Sequence, residues 1–136
     1  MRVMATVMVV DDVPMMRDML KDIVLDCGHT IAGEASNGME ALELYRSCRP
    51  DLVTMDVTMP EMDGVTALKH ILQFDANAKI IMCSAIGQQK VVLEAIMSGA
   101  KDYIIKPFRP EMVSSAIAQV ISKGTTPTET ILERTS

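Results

Sequence analysis

Short apolar runs alternate with stretches of helical periodicity five times along this chain. Residues 5–10 form a continuous apolar run, the pattern of a parallel strand buried on both faces. Pro14 suits the first turn of a helix, in which Met16, Met19, Leu20, Ile23 and Cys27 recur at helical spacing and Gly28 is placed to end it. A second strand is predicted over Thr30–Ala35. The helix after it opens on Asn37 and Glu40 as a capping pair, and its Ala41, Leu44, Tyr45 and Cys48 share one face. Pro50 breaks that helix, residues 52–55 read as a third strand ending at Asp56, and Pro60 with the Asp63-Gly64 pair makes 57–64 a loop. Leu68, Ile71 and Leu72 mark a third helix, and 79–83 a fourth strand. Val91, Val92, Ala95 and Ile96 mark a fourth helix closed by Gly99, and Asp102–Ile105 is the fifth strand. Pro110 opens a last helix with Val113, Ala116, Ile117, Val120 and Ile121 on its inner side.

A (βα)5 alternation with short loops predicts an α/β domain over residues 1–123, a doubly wound parallel five-stranded sheet with helices on both faces. The units are too few for an eight-fold barrel. From 124 to 136 the periodicity is lost, which predicts a mobile C-terminal tail.

Composition narrows the function classes. A length of 136 residues is enough to bury a core without covalent staples, and 49% hydrophobic with 23% charged residues is the balance of a soluble globular protein. With 3% aromatic residues and no Trp, a stacking platform for single-stranded nucleic acid is not expected. The net charge of −5 argues against general affinity for nucleic acid or anionic membranes. Thirteen Met residues read as adaptable core filler. Cys27, Cys48 and Cys83 have no CxxC spacing, and read as three reduced, mostly buried thiols, neither a disulfide framework nor a zinc site. The apolar run after Arg2 is too short for a signal peptide and stops at two aspartates, and nothing approaches a membrane-spanning length. A cytoplasmic protein is expected.

Sheets of this type bind ligands beyond the carboxyl ends of their strands, at the point where strand order switches. Those ends carry Asp11 and Asp12 after strand 1, Asp56 after strand 3, Ser84 after strand 4 and Lys106 after strand 5. In the order 2-1-3-4-5, strands 1 and 3 are neighbours and three carboxylates converge on one crevice. Two unit charges about 4 Å apart repel by roughly 4 kcal/mol at an effective dielectric near 20. A hard divalent cation, Mg2+ or Mn2+, relieves that repulsion. Lys106 adds a fixed positive charge able to pair with Asp56, and Ser84 a hydroxyl donor. Each has a duller reading: solvated turn chemistry for the aspartates, a surface turn at Lys106-Pro107, a helix cap for Ser84. Their meeting at four strand ends on one edge favours a site.

The segments Val9-Val10-Asp11-Asp12, Met55-Asp56-Val57-Thr58-Met59-Pro60-Glu61-Met62-Asp63-Gly64, Cys83-Ser84-Ala85 and Lys106-Pro107-Phe108 resemble the signature segments of response-regulator receiver domains. Within that family, 83–89 and 99–108 resemble the CheY group of chemotaxis regulators. The resemblance implies the flavodoxin-like fold and a phospho-acceptor at Asp56, fed by the phosphohistidine of a sensor histidine kinase. It implies Mg2+ held by the Asp12 and Asp56 carboxylates and the Thr58 backbone carbonyl, with Asp11 acting through water. Ser84 would be the hydroxyl that moves to the phosphoryl group and Tyr103 the aromatic that turns inward afterwards. The Lys106–Pro107 peptide would be cis. Ser84 stands where many relatives have Thr and keeps the hydroxyl, while Pro14 supplies no N–H beside the acidic pair.

The implied output is protein contact: the chemotaxis kinase as donor, the flagellar motor switch protein as target, and a possible phosphatase. Such a domain is no enzyme beyond its own phosphorylation and dephosphorylation. The alternatives are a receiver serving a phosphorelay outside chemotaxis, and a phosphatase of the haloacid-dehalogenase type. The latter pattern needs a second Asp two residues after the first, where this chain has Thr58. A flavodoxin-like carrier needs a hydroxyl- and glycine-rich loop after strand 1, and Asp11-Asp12-Val13-Pro14 is the opposite.

Overall fold

The computed structural model describes residues 4–122. The elements alternate without exception: β1 (Thr6–Val10), α1 (Pro14–Asp26), β2 (Thr30–Ala35), α2 (Gly38–Cys48), β3 (Leu52–Asp56), α3 (Gly64–Phe74), β4 (Ile80–Ser84), α4 (Gln89–Ser98), β5 (Asp102–Ile105) and α5 (Pro110–Ser122). The five strands form one sheet in the order β2-β1-β3-β4-β5, and every pairing is parallel. The expected architecture and strand order are therefore present. The tail expected from 124 onward lies outside the described residues.

Strand alternation splits the interior into two cores. Met8, Val10, Val53, Met55, Ile80 and Met82 point to the side covered by α2, α3 and α4. Val7, Val9, Leu52, Ile81, Cys83 and Ile104 point to the side covered by α1 and α5. Strands β3 and β4 are buried at every position, so they read as largely apolar runs, broken in β3 by the buried Thr54, that close on a polar residue.

Several local expectations shift. β1 begins at Thr6, and β4 runs one residue further than expected, so Ser84 belongs to the strand. On α1 the buried residues are Leu20 and Val24, whereas Met19 is 41% exposed. The inward stripe thus sits one position round the helix from the one the Met spacing suggested. Cys27 is the C-cap, and Gly28 follows with φ of 91°, a conformation glycine adopts without a Cβ clash. Asn37 caps α2 through the Glu40 N–H, but Glu40 returns its carboxylate to Ser36 and leaves the box one residue wider.

Methionine and cysteine depart furthest from expectation. Met8, Met55, Met59 and Met82 are buried, while Met4, Met15, Met19, Met39, Met97 and Met112 are exposed. Five of these lie on helices, where the outer face carries them. Of the cysteines only Cys83 is buried; Cys27 is half-buried and Cys48 exposed. No helix among the described residues is long and apolar enough to cross a membrane.

Candidate functional site

β1 and β3 are neighbours, with Val10 paired to Met55, so the residues that follow them emerge side by side. Asp11 and Asp56 are 3% and 6% exposed, while Asp12 faces solvent. One carboxylate oxygen from each of Asp11, Asp12 and Asp56 lies within 4.8 Å of the others.

Each member is set by its backbone. The Val13 N–H donates to Asp11 Oδ1 at 2.9 Å, a turn that starts α1 one residue before Pro14. Pro14 occupies the first helical position, where a missing N–H costs nothing. Arg17, one turn on, donates from its guanidinium to the Asp11 carbonyl at 2.7 Å and to Glu34 of β2 at 2.9 Å. Below Asp56 the chain turns sharply. Gly64 N–H donates to the Val57 carbonyl at 3.1 Å, and a Cβ on Gly64 would overlap the Asp56 carbonyl oxygen. Only glycine lets α3 start so close beneath the end of β3. Asp63 caps that helix through the Thr66 N–H.

Lys106 follows β5, its N–H donating to the Ser84 carbonyl at 2.8 Å, and the Lys106–Pro107 peptide is cis. Its ammonium lies 2.7 Å from Asp11 Oδ2 and 3.4 Å from Asp56 Oδ2. The shorter contact is to Asp11, although the sequence pointed to Asp56 as the pairing partner. Among the described residues, Asp56 Oδ1 otherwise meets a long contact from the Thr58 N–H, at 3.4 Å.

The electrostatics follow this placement. Burial pushes the Asp56 carboxyl up to about 6, the charge of Asp11 pushes the same way, and Lys106 with the Thr58 N–H offsets them in part. Burial alone would lower Lys106, but its hydrogen bond to Asp11 and the charges of Asp56 and Asp11 hold it above its ordinary value. Burial pushes the Cys83 thiol up, so this sulfur beside the crevice is not a nucleophile. A buried carboxylate with an under-satisfied negative charge is a nucleophile whose charge a hard cation would stabilise. Three oxygens this close, one of them reachable from solvent through Asp12, fit Mg2+ or Mn2+.

Ser84 is buried at the end of β4, and Tyr103 is half-buried on β5, packed against the core on the α4 side. Tyr103 lies between two clefts. One, of about 430 Å³, is lined by Ile86, Lys106, Arg109 and Met112 among others; the second, of about 370 Å³, by Ser84, Gln88, Val92 and Leu93. The exposed apolar side chains Ile86 and Ile105 border both, with Met112 on the first and Leu93 on the second. Sequence reasoning missed Arg17 and Gln88, whose side chains brace the two loops at the crevice. Their spacing does not signal the longer bonds, Arg17 to Glu34 and Gln88 to Thr58, because each joins separate elements.

A family model described as the response regulator receiver domain matches residues 7–118. The chain is 57% identical over 114 residues to the chemotaxis protein CheY of Thermotoga maritima, covering 84% of this chain and 95% of that protein. It is 54% identical over 116 residues to the chemotaxis protein CheY of Bacillus subtilis, covering 85% and 97%. Among solved structures, it matches a chain of the CheX–CheY–BeF3–Mg2+ complex from Borrelia burgdorferi with a TM-score of 0.83 and 38% identity, covering 87% and 90%.

Proposed function

The chain belongs to the response-regulator receiver family, and from that premise we propose that it is a chemotaxis response regulator, phosphorylated on Asp56 and signalling by protein contact. The observation that carries this reading is Asp56 itself. It is buried at the end of β3, raised in pKa, and shares a crevice with two further aspartates and one lysine. The high identity to CheY proteins over nearly their full length favours chemotaxis over a relay receiver, and the family favours either over a phosphatase.

In this reading a histidine kinase presents a phosphohistidine. An Asp56 carboxylate oxygen attacks phosphorus, the new O–P bond forms as the N–P bond breaks, and the electron pair returns to the imidazole. Asp12 and Asp56, with the Thr58 backbone carbonyl, would hold Mg2+ beside Asp11. When bound it supplies positive charge to the transferring phosphoryl oxygens. Lys106 keeps its charge beside Asp56, and the Ser84 hydroxyl is the donor on the next strand. In this reading the chain's own chemistry is the gain and loss of its phosphoryl group.

Output follows because the dianionic group makes different contacts in two conformations and shifts their populations. Tyr103, flanked by its two clefts, would turn inward as Ser84 moves. That reshapes the surface of α4, β5 and α5 for a protein target, the flagellar motor switch protein, with a phosphatase as the partner that ends the signal. The test is incubation with a small phosphodonor and Mg2+. One phosphoryl group should be added, and Asp56→Asn should abolish it; equal labelling of that variant removes the assignment.

A further inference from the structure

Gln88, the residue before α4, reaches back to the loop after β3. Its Oε1 accepts from the Ala85 N–H at 2.7 Å, and its Nε2 donates to Thr58 Oγ1 at 2.9 Å. The orientation is fixed by chemistry, since a backbone N–H can only face the amide oxygen. This carboxamide makes no capping bond to its own helix. It joins the loop after β4, which carries Ser84, to the loop after β3, which carries Asp56.

Among the described residues, little else holds the β4–α4 loop. Ala85, Ile86 and Gly87 are exposed, Ile86 by 80%, and a Cβ on Gly87 would meet nothing within 4 Å. The turn bond from the Gln88 N–H to the Ala85 carbonyl is long, at 3.4 Å. The firm restraints are the Gln88 bridge on one side and, on the other, the Ser84 carbonyl accepting from the Lys106 N–H at 2.8 Å.

We propose that Gln88 is a positioning residue that latches the β4–α4 loop to Thr58 in the unphosphorylated protein and opposes the rearrangement that accepts the phosphoryl group. The inference rests on the reading of Asp56 as the acceptor. For the Ser84 hydroxyl to move onto a group at Asp56, Ala85 must move with it, because consecutive Cα atoms are held at a fixed separation of about 3.8 Å. That movement draws the Ala85 N–H away from the Gln88 oxygen and strains the bond to Thr58. The latch therefore stabilises the resting loop, and phosphorylation must first overcome it.

The test compares the full chain with Gln88→Ala, Thr58→Val and the double variant; Thr58→Val keeps the backbone carbonyl. The concentration of acetyl phosphate giving half-maximal labelling is measured at saturating Mg2+, and the exchange rate of the Ala85 amide is measured without donor. Either single variant should lower the half-maximal concentration about five- to tenfold, the worth of one or two ordinary hydrogen bonds. Gln88→Ala should also speed Ala85 exchange. The double variant should go no further than Gln88→Ala alone, because that substitution already removes the bond to Thr58. Additive effects, or unchanged donor requirement in a labelled parent and both variants, overturn the latch alone. A parent that takes no label overturns the acceptor reading and the latch with it. If Gln88→Ala fails to fold, Thr58→Val by itself decides, through the same shift in donor concentration.

Discussion

Two aspartates at opposite edges of the sheet have been given opposite electrostatics. At the carboxyl edge, Asp56 is buried beside another carboxylate, makes one long hydrogen bond and one ion pair at 3.4 Å, and is pushed up to about 6. At the amino edge, after α3, Asp75 accepts from the Tyr45 hydroxyl at 2.8 Å and the Asn77 N–H at 3.0 Å, with Arg49 at 3.7 Å. The Tyr45 hydrogen bond, first among these, holds Asp75 below its ordinary range, while burial and the same bond push the Tyr45 phenol up. Around them, Phe74 is met edge-on by Tyr45 and covered by the Arg46 and Arg49 guanidinium groups. One carboxylate is satisfied within the fold and stabilises it. The other is left in want of positive charge, and that want is available to a ligand.

The sharpest way to test this contrast is acid titration of stability in chelator. Asp56 has a folded pKa raised above its ordinary 3.8, so its stabilising contribution is full below about pH 4 and is lost as pH rises through about 6. The loss should approach about 3 kcal/mol, two pKa units at 1.36 kcal/mol each. Asp56→Asn should flatten this limb, and a variant with the same fall would show that the strain lies elsewhere. Asp75 runs the other way: its folded pKa is lowered, so its contribution is present above the ordinary range and disappears as pH falls. Asp75→Asn should remove that acid-side loss and leave the Asp56 limb in place.

Adding the cation should turn the strained edge into a stabilising one. At a hundredfold excess over its dissociation constant, Mg2+ should raise stability by about 2.7 kcal/mol. Asp12→Ala should remove most of that gain, and its metal-free form should be no less stable than the metal-free parent, because one repelling carboxylate has gone. A melting shift with Mg2+ that survives Asp12→Ala contradicts the ligand set.

Next in size is the step from chemistry to output. Tyr103→Ala should keep Asp56 labelling within a few-fold of the parent while removing most of the phosphorylation-dependent gain in target affinity, on the order of 1–3 kcal/mol. Titration of the proposed target, a flagellar motor switch protein, with each form decides it. Retention of the full difference would make Tyr103 an ordinary packed aromatic.

The smallest effect belongs to the satisfied edge. Tyr45→Phe removes one hydroxyl from Asp75 and should cost about 1 kcal/mol in chemical denaturation. Labelling of Asp56 should not change, since the two aspartates lie at opposite ends of the strands. A change in labelling rate would mean that the two edges are coupled through the sheet.

Local patterns along the chain were enough to read the element order, the parallel sheet and which strand ends carry the acidic, hydroxyl and basic residues. Continuous apolar runs such as 80–83, which close on Ser84, are local patterns that one strand period or one helical turn suffices to read. Tertiary structure alone decided the rest. Which stripe of α1 faces inward, with Val24 buried and Met19 exposed, depends on how the helix rolls against β1 and α5. Lys106 sits closer to Asp11 than to Asp56, and Gln88 reaches Thr58, because these pairs lie far apart in the chain and meet only when adjacent strands fix the loops above them. Spacing along a chain specifies the face a residue points to. The distance between residues on different elements is set by the packing of everything between them.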